Sequence, residues 1–282
     1  MIHVANLHKT FRRHRVLDDL SLDIPQGQRI ALIGANGAGK TTLIRCLLGE
    51  YTYQGTIEIN GISSRQREKV LGKVGFVPQL PPPLKMPVWQ LLQFAADLCN
   101  SDVAHMVAVA QQLGLDIAQF KHKPFVKLSG GQKQKLLIAI ALGRDSEILI
   151  LDEPAANLDP EARRIFFDLL ADRPPQTVML MSSHRLDEIA ALVNRVIELD
   201  QGKVALDDHV ADTVAINSRL VCRLSMNRAE AACINSLKHW QFSETALLHW
   251  QGEIAGADRL RFLGMISRYA GIISALHLEE TP

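Results

Sequence analysis

Gly34-Ala35-Asn36-Gly37-Ala38-Gly39-Lys40-Thr41-Thr42 has the full spacing of a phosphate-binding loop. It follows the apolar run Ile30-Ala31-Leu32-Ile33, which reads as a buried strand. It precedes Leu43 to Leu48, which reads as a helix. Glycines let the backbone curl so that successive N–H groups point inward, and the helix N-terminus behind them adds partial positive charge. In such a loop Lys40 reaches the β- and γ-phosphates of a nucleoside triphosphate, and Thr41 ligates Mg²⁺. A ligand-free glycine-rich turn is the alternative; the strand before it and the helix after it favour the phosphate site.

Working outward, alternating apolar positions from Ile2 to Asp23 read as strands, and Pro25 to Gln28 as a turn. Thr56 to Gly61 reads as a strand ending in an Asn-Gly turn, and Val74 to Val77 as a strand before the prolines Pro81-Pro82-Pro83. From Val88 to about Gly143 the apolar spacing is helical. Strands return at Ile148 to Leu151 and Thr177 to Met181, and a hairpin at Arg195 to Leu206 turns over Asp200 to Lys203. This order predicts an α/β phosphate-loop core (1–208) with an antiparallel β subdomain and a helical subdomain at about 86–145. Beyond it, 209–282 reads as a small βαββαβ accessory α+β domain. There Asn227 is placed to cap a helix carrying Cys233, Leu237 and Trp240. Short strands fall at Thr245 to His249 and Glu253 to Ala255, a helix starts from Asp258 and carries Ala270, and Ile272 to Leu278 forms a last strand.

Composition is compatible with this picture. The 282 residues are 47% hydrophobic and 22% charged, and the formal net charge of +1 gives no reason to expect nucleic-acid binding. The apolar helical run Leu136 to Leu142 is too short to cross a bilayer, so work at a membrane would need a partner there. Cys46, Cys99, Cys222 and Cys233 have no metal-ligand spacing and read as reduced thiols of a cytoplasmic protein.

Further segments narrow the chemistry. Leu128-Ser129-Gly130-Gly131-Gln132 precedes an apolar helical run, and Ile148 to Leu151 leads into Asp152-Glu153-Pro154. With Gln79, Ala156-Asn157-Leu158-Asp159 and His184 in this order, the chain resembles the ATP-binding cassette (ABC) ATPases over roughly 1–208. The resemblance implies ATP and Mg²⁺ as ligands. It makes Glu153 the general base, Asp152 a metal-side carboxylate with Thr41 and Gln79, and His184 a γ-phosphate contact. Phe11 stands where the family stacks an aromatic ring on adenine, although a core phenylalanine explains it nearly as well.

Ser129 can cap the following helix while Gly130 and Gly131 offer backbone N–H groups at its positive end, a second anion site. In the family this segment, Gln132 included, clasps a nucleotide held by another cassette. The chain has one phosphate loop and one such segment. The resemblance therefore implies a head-to-tail pair, expected to be two copies of this chain, with Asp159 at its centre and integral membrane permease subunits as further partners. It would sit on the cytoplasmic face of the cell membrane. Pro81, Pro82, Pro83, Leu84, Met86 and Trp89 are expected to rim a groove, between the Gln79 loop and the helix near Val88, for a permease helix. The segment Ser182 to Glu188 and the tail resemble the ABC-2 export type, some of whose members serve copper-enzyme (nitrous oxide reductase) maturation. A soluble ATPase of iron–sulfur assembly is the alternative.

Overall fold

The computed structural model describes residues 1–183, 189–209, 219–255, 259–267, 269 and 271–280. The chain divides into two compact units, 1–184 with 192–210 and 185–191 with 211–282.

The first unit opens with β1 (Ile2–Phe11) and β2 (His14–Ile24), paired antiparallel from Ile2↔Ile24 to Phe11↔His14. Their alternation is expressed as burial of Ile2, Val4, Leu7, Leu17, Leu20, Leu22 and Ile24. β3 (Arg29–Ile33) feeds the glycine loop and α1 (Lys40–Leu47) leaves it. β4 (Gln54–Ile59) and β5 (Ile62–Ser63) turn over Asn60 and Gly61, both at positive φ as a two-residue hairpin turn requires. After α2 (Arg67–Lys73) and β6 (Val74–Val77) come α3 (Val88–Cys99), α4 (Val103–Gln112), α5 (Ile117–Phe120) and α6 (Gly130–Leu142). These four helices occupy the stretch whose spacing is helical. β7 (Ile148–Asp152), α7 (Pro160–Ala171), β8 (Val178–Ser182), β9 (Arg195–Asp200) and β10 (Lys203–His209) complete the unit.

Two sheets result. One is antiparallel, in the order β2-β1-β4-β5; the other has six strands in the order β10-β9-β3-β8-β7-β6, parallel except at β10. Leu43, Ile44 and Leu47 of α1 share one core with both sheets, including Ile2, Leu17, Ile30 and Ile150. Each such side chain contributes roughly 1.5–3 kcal/mol by leaving water. This core holds α1, and the loop before it, against the carboxyl ends of the parallel strands. The helices α3, α4 and α6 have a separate core containing Leu92, Met106, Phe125 and Leu136.

The second unit runs β11 (Arg219–Met226), α8 (Ala231–His239), β12 (Ser243–Ala246), β13 (His249–Ala255), α9 (Arg259–Ser267) and β14 (Ile273–Glu280). All its pairings are antiparallel, in the order β12-β13-β11-β14. That is the split βαββαβ arrangement of ferredoxin-like domains. Leu220, Cys222 and Leu224 on alternate positions of β11 pack with Cys233, Leu237, Phe262 and Ile266.

Two expectations are corrected here. Asn227 does not cap α8, which starts at Ala231; its N–H is bonded to Ile272 O instead. The strands foreseen as 245–249 and 253–255 are Ser243–Ala246 and His249–Ala255, with no break at Gly252. A Cβ at Gly252 would lie 2.4 Å from the Phe242 ring, so this glycine marks a close approach and not a turn. Asp258 and Ala270 lie outside the described residues.

The guanidinium of Arg195, almost wholly buried, ties three strands of the first unit together. Nε and Nη2 donate to the two Asp207 carboxylate oxygens, each at 2.6 Å, and Nη1 donates to Asp23 O at 2.7 Å. Arg195 holds the Asp207 carboxyl below its ordinary value of 3.8. A depressed folded pKa stabilises the fold above the unfolded value, and that stability is lost as pH falls through the folded one. Asp207→Asn is therefore expected to cost about 1.5–3 kcal/mol at pH 7, measured by urea unfolding. The gap from the wild type should close as pH falls below the carboxylate range.

Candidate functional site

The loop after β3 is shaped by its glycines and braced from behind. Gly34, Gly37 and Gly39 all have positive φ, and a Cβ at Gly34 would stand 2.3 Å from Leu199 O. The β9–β10 turn supports the loop, Gly202 N–H donating to Ala38 O at 3.1 Å. Gly39 begins α1 with no side-chain cap, so the first N–H groups of that helix face the cleft as an anion site. Lys40 Nζ lies within the curl, donating to Gly34 O at 2.6 Å and Ala35 O at 3.1 Å. Burial lowers the pKa of its ammonium, opposed by the carboxylates of Glu153 and Asp152.

A cleft of about 370 Å³ gathers Asn36, Gly37, Gly39, Lys40, Thr41, Thr42, Gln79, Asp152 and Glu153 with His14 and Val16. Asp152 is buried at the end of β7. Parallel register places Ser182 of β8 opposite it, and the Ser182 O–H donates to Asp152 Oδ1 at 2.6 Å. The same Ser182 oxygen accepts the Glu153 N–H at 2.9 Å. Glu153 has φ 48°, a left-handed conformation rare for such a residue, and this bond helps to hold it. Thr41, Gln79 and Asp152 offer hydroxyl, amide and carboxylate oxygens, the hard donors that Mg²⁺ takes together with phosphate oxygens and water.

Ser129, Gly131, Gln132 and Asp159 line a different cleft of about 320 Å³, with Lys135. The two clefts share no lining residue. Ser129 caps α6 as foreseen, in a capping box: its Oγ accepts Gln132 N–H at 3.3 Å and Gln132 Oε1 accepts Ser129 N–H at 3.0 Å. The Gln132 side chain is thus engaged within its own helix, while the Ser129 hydroxyl keeps a proton to donate. Gly130 is exposed and Gly131 half-buried. Asp159 caps α7 through Ala162 N–H at 2.9 Å, and its other oxygen pairs with Lys135 at 2.8 Å.

Phe11 is not in the core. Its ring is 40% exposed, edge-on to Tyr51 at 5.2 Å, with Lys9 Nζ 4.6 Å from its centroid; it is not among the lining of the phosphate-loop cleft. His184 lies outside the described residues. The expected groove is also redrawn. Thr41, Arg45, Glu50, Phe76, Leu137 and the run Pro78 to Pro83 line a cleft of about 540 Å³, whereas Leu84, Met86 and Trp89 pack half-buried on the helical core. Its far wall comes from α1 and α6, not from α3.

Sequence reasoning missed His14, Val16, Ser182, Gln134 and Lys135. Ser182 carried a readable signal: a hydroxyl residue ending an apolar strand. Its partnership with Asp152 depends on strand register, which is a tertiary property.

Comparison with known proteins finds relatives of this fold. The ABC transporter family profile matches residues 17–156. A putative ABC transporter ATP-binding protein of Streptomyces avermitilis is 36% identical, over 72% of this chain and 79% of that protein. The phosphonates import ATP-binding protein PhnC 2 of Cupriavidus necator is 35% identical, over 73% and 81%. Among solved structures, an ATP-binding subunit of an ABC transporter superposes with TM-score 0.68 at 25% identity, covering 75% of this chain and 91% of that one. An ATP-binding cassette solved as a dimer in a post-hydrolysis state with ADP and Pi shares the fold, with TM-score 0.65 at 21% identity over 74% and 99%.

Ser182→Ala strips a buried carboxylate of a donor and Glu153 N–H of its acceptor. It should destabilise the protein by about 1.5–3 kcal/mol in urea unfolding. A loss below about 0.5 kcal/mol, the size of a neutral surface change, would contradict the bridge described.

Proposed function

The chain belongs to the ABC transporter family of ATP-binding proteins, an ATPase family, and from that premise we propose that two copies close head to tail around two ATP molecules. In this reading each phosphate-loop cleft receives Ser129, Gly130 and Gly131 of the other copy. The observation that carries it is the separation of the two anion-binding features into clefts without a common residue. ATP makes its full set of contacts only in the closed pair, so it favours closure, and hydrolysis removes that bias.

Within one site, Lys40 is already desolvated and exchanges loop carbonyls for β- and γ-phosphate oxygens. Phe11 offers an exposed ring to the adenine. Thr41, Asp152 and Gln79 would hold Mg²⁺, which when bound neutralises phosphate charge. Glu153 accepts a proton from the water whose oxygen attacks the γ-phosphorus, as the bond to the β–γ bridging oxygen breaks and ADP leaves. Asp152 is held in place through Ser182. His184 is assigned a contact with the γ-phosphate, and Asp159 a place at the centre of the pair.

The work is delivered to separate membrane-spanning chains, which would hold this subunit at the cytoplasmic face. Among the described residues no helix is long and apolar enough to cross a membrane. The cleft along Pro78 to Pro83 suits a permease segment. Leu80 there is 76% exposed, and Thr41, Gln79 and Asp152 belong both to this cleft and to the nucleotide cleft. Movement at the γ-phosphate can therefore reach a docked segment through shared residues. The import name of PhnC 2 runs against the export direction expected from the sequence. Part of the segment behind that expectation, 184–188, lies outside the described residues, so the proposal rests on the power stroke common to both directions.

Glu153→Gln should bind ATP, lose turnover by about 10²-fold or more and accumulate as an ATP-dependent dimer in size-exclusion chromatography. Near-normal turnover in that variant would remove Glu153 from the role of base.

A further inference from the structure

Three positions on one face of α6 grip the segment that follows Glu153. Gln134 is wholly buried, and its Nε2 donates to Pro154 O at 2.8 Å. Lys135 Nζ pairs with Asp159 Oδ2 at 2.8 Å, its side chain only 15% exposed. At Gly131 a Cβ would lie 3.1 Å from Asn157 O, so the helix backbone runs directly against the middle of the segment. The spacing 131, 134, 135 is i, i+3, i+4, a single helical stripe. It meets residues 154, 157 and 159, the start, middle and end of the turn between Glu153 and α7.

Each contact fixes a different part of that turn. Pro154 O belongs to the peptide one step beyond Glu153, so Gln134 fixes the chain directly after the left-handed Glu153 backbone. Asp159 is held at both oxygens, by Ala162 N–H and by Lys135, and these bonds keep its carboxyl below its usual pKa range, Lys135 contributing most. Ser129 and Gly130 start the same helix, so a displacement of that start moves the stripe as a body.

We propose that Gln134 and Lys135 are positioning residues. They carry engagement of the Ser129-Gly130-Gly131 segment at the partner's nucleotide back to Glu153 of their own chain, making hydrolysis at one site responsive to occupancy of the other. This rests on the head-to-tail reading above, and the two can be separated experimentally. Lys135 acts in cis, within the chain whose Glu153 it positions. Ser129 acts in trans, on the nucleotide of the other chain.

Differently tagged copies purified as mixed pairs supply the test. One copy keeps Glu153; the other carries Glu153→Gln, so that only one site turns over. Lys135→Met in the copy with Glu153 should lower kcat about tenfold and bring the ATP dependence toward a Hill coefficient of 1. ATP affinity and pair formation should be unchanged, and Lys135→Arg should restore turnover. The same Lys135→Met in the Glu153→Gln copy should leave kcat within about twofold. Equal loss in both arrangements, or no loss in either, overturns the proposal, as does a loss that follows weakened pairing. Gln134→Leu is the second variant, near in volume and judged by the same cis and trans criterion. Ser129→Ala in the Glu153→Gln copy is the control on the head-to-tail reading. If turnover survives it, that reading fails, whatever Lys135 does.

Discussion

A carboxylate buried in a protein has to be bonded or it costs several kcal/mol, and here that need is met at the ends of two neighbouring strands. Asp152 ends β7, Ser182 ends β8, and parallel register sets them side by side so that one hydroxyl serves both Asp152 Oδ1 and Glu153 N–H. The functional cleft is arranged around that bridge. It fixes the carboxylate facing the phosphate loop and supports the left-handed Glu153. It also sets where the turn to α7 begins, and that turn is the one α6 grips. Serine supplies the donor and acceptor together at that depth, which an apolar residue cannot do.

The phosphate loop is held by the same economy of close packing. Glycine at 34 is demanded by Leu199 O, and glycine at 39 by its φ of 109° and by Val16 O, 3.1 Å from where its Cβ would be. Those approaches bring the β9–β10 hairpin and the antiparallel sheet up against the loop. With Lys40 inside the curl and an uncapped α1 start, the loop is proposed as half of an ATP site. In the proposed reading the other half is on α6, where Ser129 and Gln132 satisfy each other beside an exposed Gly130 and a half-buried Gly131. ATP hydrolysis, the family's activity, on the proposed reading depends here on joining features that one chain keeps apart.

Much of this was legible in the residues because it is imposed locally. Glycine spacing, the five apolar or acidic residues of β7, the Asn60-Gly61 turn and the Ser129 cap follow from backbone sterics and short-range hydrogen bonds. What escaped depends on neighbours distant in sequence. Ser182, Gln134 and Lys135 acquire their meaning from partners on other elements, and nothing in the sequence marks Glu153 as left-handed. In the second unit, Asn227 has the chemistry of a cap, yet its N–H is taken by Ile272 O and the helix starts later. Gly252 resembles a turn residue but is required by the Phe242 ring.

The central claim, that each ATP is held between the phosphate loop of one copy and the serine-glycine segment of another, can be tested most directly by complementation. Lys40→Ala and Ser129→Ala each spoil both sites of their own pair. Mixed together, they form pairs with one site whose loop and segment are both intact. The account predicts ATP hydrolysis in the mixture well above the sum of the two variants alone, rising with protein concentration. A mixture no more active than its components would contradict it.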